Sequence, residues 1–108
     1  MPSISIVMPF RDSGATLGDC LTSITKQTEK DWELLAIDDG STDESPEIIA
    51  DATSRDSRIR ALSSGRVGLV AALNLGLEEA RSSFIARMDA DDVMARERLA
   101  LQLSLIHI

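Results

Sequence analysis

Three short stretches of this 108-residue chain concentrate carboxylates in patterns that could hold a cation or work as acids and bases: Pro9-Phe10-Arg11-Asp12, Asp38-Asp39-Gly40-Ser41-Thr42-Asp43 and Asp89-Ala90-Asp91-Asp92. Two carboxylates about 5 Å apart at an effective dielectric of about 20 repel by roughly 3 kcal/mol, so such a cluster needs compensation. Arg11, Arg66 and Arg87 are the basic residues at hand, and Arg87 sits inside an apolar run. A hard divalent cation is the alternative, because Mg²⁺ or Mn²⁺ takes carboxylate oxygen and shares its shell with water and phosphate. Each stretch taken singly also has a plain reading. Asp12 or Ser13 could cap a helix, Asp38, Asp39 and Asp43 could form a turn around Gly40, and Asp89, Asp91 and Asp92 could begin a helix.

Whether the stretches meet depends on the elements that carry them. Ile4 to Phe10, Trp32 to Asp38, Arg58 to Leu62 and Phe84 to Asp89 are short, apolar and partly β-branched, and read as strands. Helical spacing fills the gaps. From about Ala15 to Gln27, Leu17, Cys20, Leu21 and Ile24 share a face. In the second helix Pro46 suits the first turn, where Asp43, Glu44 and Glu47 complement the helix dipole. A third helix places Leu69, Ala72, Leu73, Gly76 and Ala80 on one stripe, and a fourth starts near Arg96. Strand and helix in alternation predict an α/β fold, a Rossmann-like and mostly parallel sheet with helices on both faces. Ligands of such sheets bind beyond the carboxyl ends of the strands, where strand order reverses. The three acidic stretches follow the first, second and fourth strands, so the fold would bring them to one rim.

Composition narrows the partners. A net charge of −7 argues against nucleic acid or an anionic membrane as the main partner. One cysteine, Cys20, rules out a disulfide framework and a thiolate metal cluster, and fits a reducing, cytoplasmic setting. Neither a signal peptide nor a run of about 18 apolar residues is present. His107 is the lone histidine, which excludes a histidine-based triad or zinc site. Counted from Asp89, Met94 and Ala100 stand where an EF-hand loop needs Gly and Glu, and the turn after the first strand lacks G-x-G-x-x-G. Two rival functions stay open: a phosphatase of the haloacid dehalogenase type, with Asp38 as nucleophile, and a nucleotide-binding module without chemistry.

Taken together, "SIVMPFRDSGATLGDCLTSITKQT", "DWELLAIDDGSTDES", "GLVAALNLGLEEA" and "FIARMDADDVMARERLALQ" resemble the family 2 glycosyltransferases of nucleotide-diphospho-sugar transferase (GT-A) fold, over Ile4 to about Gln102. The resemblance implies transfer of a sugar from a nucleotide-diphosphate donor, expected to be a UDP-sugar, to an unassigned acceptor, with inversion and with Mg²⁺ or Mn²⁺. Pro9, Phe10, Arg11 and Asp12 would line the nucleotide pocket, the Arg11 guanidinium standing where many relatives carry a planar group against the base. Asp39 would accept from the base edge, Asp38 would support the pocket and Arg66 would approach the nucleotide. Asp89-Ala90-Asp91 would be the D-x-D, with Asp91 a direct metal ligand and Asp89 at the metal-bound water or ribose; Asp92 is left without a role. Ser82 and Arg96 depart from the Gly and Pro that many members carry in these connections.

The resemblance also sets expectations about extent. Residues 1–102 read as the donor-binding half of a truncated glycosyltransferase domain, with the catalytic base in a missing C-terminal half and the fragment itself inactive. The parent enzyme would sit in the cytoplasm or at the cytoplasmic membrane face. Residues 103–108, "LSLIHI", read as a non-native tail resembling the translation of a sequencing-library adapter.

Overall fold

The computed structural model describes residues 2–106 of the chain. The elements run β1 (Ile4–Phe10), α1 (Leu17–Thr25), β2 (Trp32–Asp38), α2 (Ser45–Arg55), β3 (Ile59–Ser63), α3 (Leu69–Glu79), β4 (Ile85–Arg87) and α4 (Arg98–Ile106). They form one sheet in the order β3-β2-β1-β4, with every pairing parallel. The chain therefore moves outward from β1 through β2 to β3, then crosses back to place β4 on the other side of β1. That reversal puts the switch point between β1 and β4, after which two of the acidic stretches follow. His107 lies outside the described residues, as does the end of the expected tail, whose earlier residues belong to α4.

Alternation along the central strands sorts the core into two layers. Ile4, Ile6, Met8 and Phe10 of β1, with Trp32, Leu34 and Ala36 of β2, pack against Leu17, Cys20, Leu21 and Ile24 of α1, Ile49 of α2 and Leu99 of α4. The intervening residues Val7, Leu35 and Ile37 meet Ala72 of α3 on the opposite face. Burial on both faces is why these strands read as nearly continuous apolar runs. Gly76 explains how α3 sits so close: a Cβ there would come 2.5 Å from Val7 Cγ1 and 2.9 Å from Ile37 Cδ1.

Several boundaries and faces differ from expectation. Neither Asp12 nor Ser13 caps α1 with its side chain; the helix opens after Thr16, and the Ser13 carbonyl accepts from the N–H groups of Thr16 and Leu17. Leu69 is 51% exposed and leaves the core stripe of α3 to Ala72 and Gly76. The fourth strand is three residues long rather than six. Pro9 supplies the physical reason. Ser5 N–H and the Val7 carbonyl point toward the β4 side, so the nitrogen of Pro9, two residues on, faces that side with no hydrogen to donate. The β1–β4 pairing stops at Val7–Arg87 while β1–β2 continues to Phe10–Asp38, and the two strands part at the switch point.

Candidate functional site

A cleft of about 570 Å³ opens where β1 and β4 part. Pro9, Phe10, Arg11 and Asp12 from the end of β1 form one side, and Asp89, Ala90 and Asp91 after β4 form the other. Asp39 closes it from the β2 side, with Gly68 and Leu69 at the start of α3 and Ser13, Ala15 and Thr16 ahead of α1. Eight of the ten residues expected in the site thus line one cavity. Asp38 and Arg66 stand outside it: the Asp38 carboxylate accepts from Ser41 N–H at 2.8 Å, and the Arg66 stem packs directly over Gly40. Gly40 has φ +82 and no room for a Cβ beside that stem, so the turn and the packing both require glycine.

The aspartates fall into two kinds. Those after β1 and β2 are already satisfied by the backbone. Asp12, at φ 50, accepts from Thr42 N–H at 2.7 Å and Asp43 N–H at 3.3 Å, while its own N–H donates to the Ser41 hydroxyl at 2.9 Å. Asp43 returns the exchange by accepting from Gly14 N–H, and the Ser45 hydroxyl accepts from Ser13 N–H. These reciprocal bonds latch the β1–α1 loop onto the β2–α2 loop. The hydrogen bonds from Ser45 hold the Asp43 carboxyl below its ordinary value. Asp38 is the turn residue that the plain reading expects, and a half-buried, hydrogen-bonded carboxylate outside the cleft is poorly placed as a phosphatase nucleophile.

Asp39 is buried and holds the loop before α3. Its carboxylate accepts from the Ser64 hydroxyl at 2.9 Å, from Val67 N–H at 2.8 Å and from Gly68 N–H at 3.1 Å. Burial pushes its pKa up, but these bonds and the positive field of Arg11 outweigh that and leave it below the ordinary value. Oδ1 takes both the Ser64 and Val67 bonds, so Oδ2 is the oxygen with capacity to spare.

Asp89, Asp91 and Asp92 are the second kind. Their carboxylate oxygens lie within 4.8 Å of one another and all three residues are exposed. Among the described residues the Asp91 and Asp92 carboxylates accept no hydrogen bond, and Asp89 has a guanidinium contact with Arg87 at 3.5 Å. Three hard oxygen donors open to solvent suit a divalent cation whose remaining positions go to water or phosphate. Their negative field reaches inward: burial, then Asp92 and Asp91, push the Cys20 thiol up to about 12, so it stays protonated and unreactive.

Sequence reasoning missed the residues that hold this loop from beneath. Thr16 donates its hydroxyl to the Ala90 carbonyl at 3.0 Å, and Cys20 Sγ lies 3.7 Å from the Asp89 carbonyl. Ser82, one of the two departures in the connections, donates to the Ser3 carbonyl at 2.9 Å and accepts from Phe84 N–H at 3.1 Å, fixing the approach to β4. The carbonyl of Arg96, the other departure, accepts from Thr28 N–H at 2.8 Å.

Other doubly wound α/β folds share this strand order, and likeness to solved structures identifies the nucleotide-diphospho-sugar transferase type. The structure of S. aureus TarS in complex with UDP superposes with a TM-score of 0.89 at 23% identity, covering 99% of this chain and 32% of that one. The mannosyltransferase PcManGT of Pyrobaculum calidifontis, solved with GDP-Man and Mn²⁺, gives 0.90 at 22% identity over 99% of this chain and 33% of its own. The chain belongs to glycosyl transferase family 2, whose sequence model matches residues 5–107. A Haemophilus influenzae protein described as an uncharacterized glycosyltransferase is 39% identical over 105 residues, 96% of this chain and 42% of the relative. The chain thus spans well under half the length of that relative.

Proposed function

We propose that this chain forms the donor half of an inverting glycosyltransferase that takes a sugar from a nucleotide diphosphate, a UDP-sugar in the first instance. The observation that carries the reading is the pairing of the 570 Å³ cleft with the exposed Asp89–Asp91–Asp92 carboxylate group on its β4 side, of which Asp89 and Asp91 line the cleft. The TarS and PcManGT structures, solved with UDP and with GDP-Man and Mn²⁺, support a nucleotide-sugar donor for this fold. Asp91 and Asp89 would hold a Mg²⁺ or Mn²⁺ ion, with Asp92 beside them. When bound, such an ion offsets the charge of the leaving diphosphate as a Lewis acid.

The chain's own groups do the rest of the donor binding. Arg11 offers a planar cation to the base, and Asp39, charged across the physiological range, offers its Oδ2 to a donor on the base edge. Phe10 and Pro9 supply the apolar floor. The Asp12–Asp43 latch keeps this wall fixed, so donor binding need not order the loop. Proton removal from the acceptor falls to a carboxylate outside this cleft, since those lining it are committed to structure or to the cation. The membrane relation is narrower: no described helix is long and apolar enough to cross a bilayer.

Calorimetric titration with UDP and GDP, each with and without Mn²⁺, tests the reading. UDP binding that strengthens at least about tenfold with Mn²⁺, and loses that gain in Asp91→Ala, is the expected result. Absence of nucleotide binding with metal present, or an Asp91→Ala variant indistinguishable from the parent chain, would sink it. Metal-dependent hydrolysis of a simple phosphate ester, lost in Asp38→Ala, would favour the phosphatase instead.

A further inference from the structure

α1 and its flanking turns carry a second stripe, polar rather than apolar. Thr16, Cys20, Ser23 and Gln27 follow one another at steps of four, three and four residues, which places them on one helical face. Every member meets the backbone of the segment that bears the aspartates. Thr16 reaches Ala90 and Cys20 lies against Asp89, as described. Ser23 accepts from Met94 N–H at 2.9 Å and donates to the Cys20 carbonyl at 2.7 Å. Gln27, fully buried, donates to the Ala95 carbonyl at 2.6 Å and accepts from Leu99 N–H at 3.1 Å.

The segment from Met88 to Glu97 has no helix or strand of its own. Its buried backbone groups would be costly without partners, and its three carboxylates repel. The stripe supplies those partners at fixed heights along a rigid rod.

We propose that this stripe is the template that fixes the Asp89–Asp92 loop in its ligating arrangement, with Gln27 as the principal positioning residue. The inference rests on the divalent cation proposed above. Gln27 touches neither the carboxylates nor the cleft; it acts by pinning the chain on the far side of the loop and the first turn of α4, so that the aspartates cannot spread. Preorganised ligands of this kind lose affinity steeply when their supports go, typically about 10- to 100-fold.

The test uses Mn²⁺ alone, followed by the electron paramagnetic resonance of the free ion, together with hydrogen exchange of the Asp91, Asp92, Met94 and Leu99 amides. Gln27→Leu keeps the side-chain bulk and removes the hydrogen bonds to Ala95 and Leu99, together with a longer one to the Ser23 carbonyl at 3.3 Å; Ser23→Ala is the milder second variant, used should the first not fold. Gly76→Ala, on the opposite face of the sheet, controls for lost stability. The expected result is Mn²⁺ binding weaker by about tenfold and faster exchange at those amides in the α1 variants, with Mn²⁺ affinity unchanged in Gly76→Ala. A folded α1 variant that binds Mn²⁺ within about twofold of the parent chain, with unchanged exchange, overturns the inference. Equal weakening in Gly76→Ala overturns it as well, since general destabilisation would then suffice. A parent chain that binds no Mn²⁺ defeats the metal reading itself, and exchange at Asp91 and Asp92 then decides whether the stripe positions the loop at all.

Discussion

Replacing Glu33 with alanine should destabilise the chain by about 3 kcal/mol, although Glu33 is some way from any ligand. Its carboxylate is buried at the start of β2 and accepts from the Ser5 hydroxyl at 2.5 Å and from Arg81 N–H at 2.7 Å. Ser5 is itself fully buried and accepts from Ser82 N–H at 3.0 Å, so without Glu33 its hydroxyl hydrogen has nowhere to go. An orphaned buried donor costs about 1–3 kcal/mol, and the less buried Arg81 N–H adds about 1 kcal/mol. Arg60, 3.5 Å from Glu33, keeps its second partner Glu79 at 3.1 Å and contributes little. Trp32, the single tryptophan and buried on the opposite face of β2 from Glu33, reports unfolding in urea by its fluorescence. The pH dependence is a second signature. Burial raises the Glu33 pKa, but the bonds from Ser5 and Arg81 and the charge of Arg60 outweigh it and leave it below the ordinary 4.5. The stabilisation from its charged form is therefore complete above the unfolded value and fades as pH falls through the lower folded one, so the gap between parent and variant should narrow in acid. A Glu33→Ala variant within about 0.5 kcal/mol of the parent at pH 7, or a gap that widens in acid, refutes the reasoning.

Two further perturbations address the frame around the cleft. Gly76→Ala should lower stability by about 1–2 kcal/mol by chemical denaturation: overpacking against the stiff Val7 side chain costs about 1–3 kcal/mol, and the helix propensity of alanine returns somewhat under 1 kcal/mol. Asp39→Ala should free the Ser64–Gly68 loop, seen as faster tryptic cleavage after Arg66, with UDP affinity falling at the same time; unchanged cleavage would show that the loop stands without Asp39.

Much of the fold was legible because apolar period is a local property. β1 and β2 fall where "ISIVMPF" and "WELLAID" placed them, since strands buried on both faces leave an unbroken apolar signature. The site was legible in part: the segments after β1 and β4 do meet. What misled was treating every aspartate alike. Asp12, Asp38 and Asp43 look in sequence like Asp91 and Asp92, yet backbone N–H groups from loops about 30 residues away satisfy Asp12, local ones satisfy Asp38, and both kinds satisfy Asp43. Ser23 and Gln27 went unnoticed for the opposite reason, because a polar residue on a helix reads as exposed until something is packed over it.

The sequence by itself determined the strand and helix order, the acidic segments at the strand ends and, through the combination of motifs, the family. Only the tertiary structure decided which carboxylates remain unspent. Hydrogen-bond satisfaction depends on donors brought close by the fold, and nothing within a few residues of an aspartate announces a donor that lies some thirty residues off.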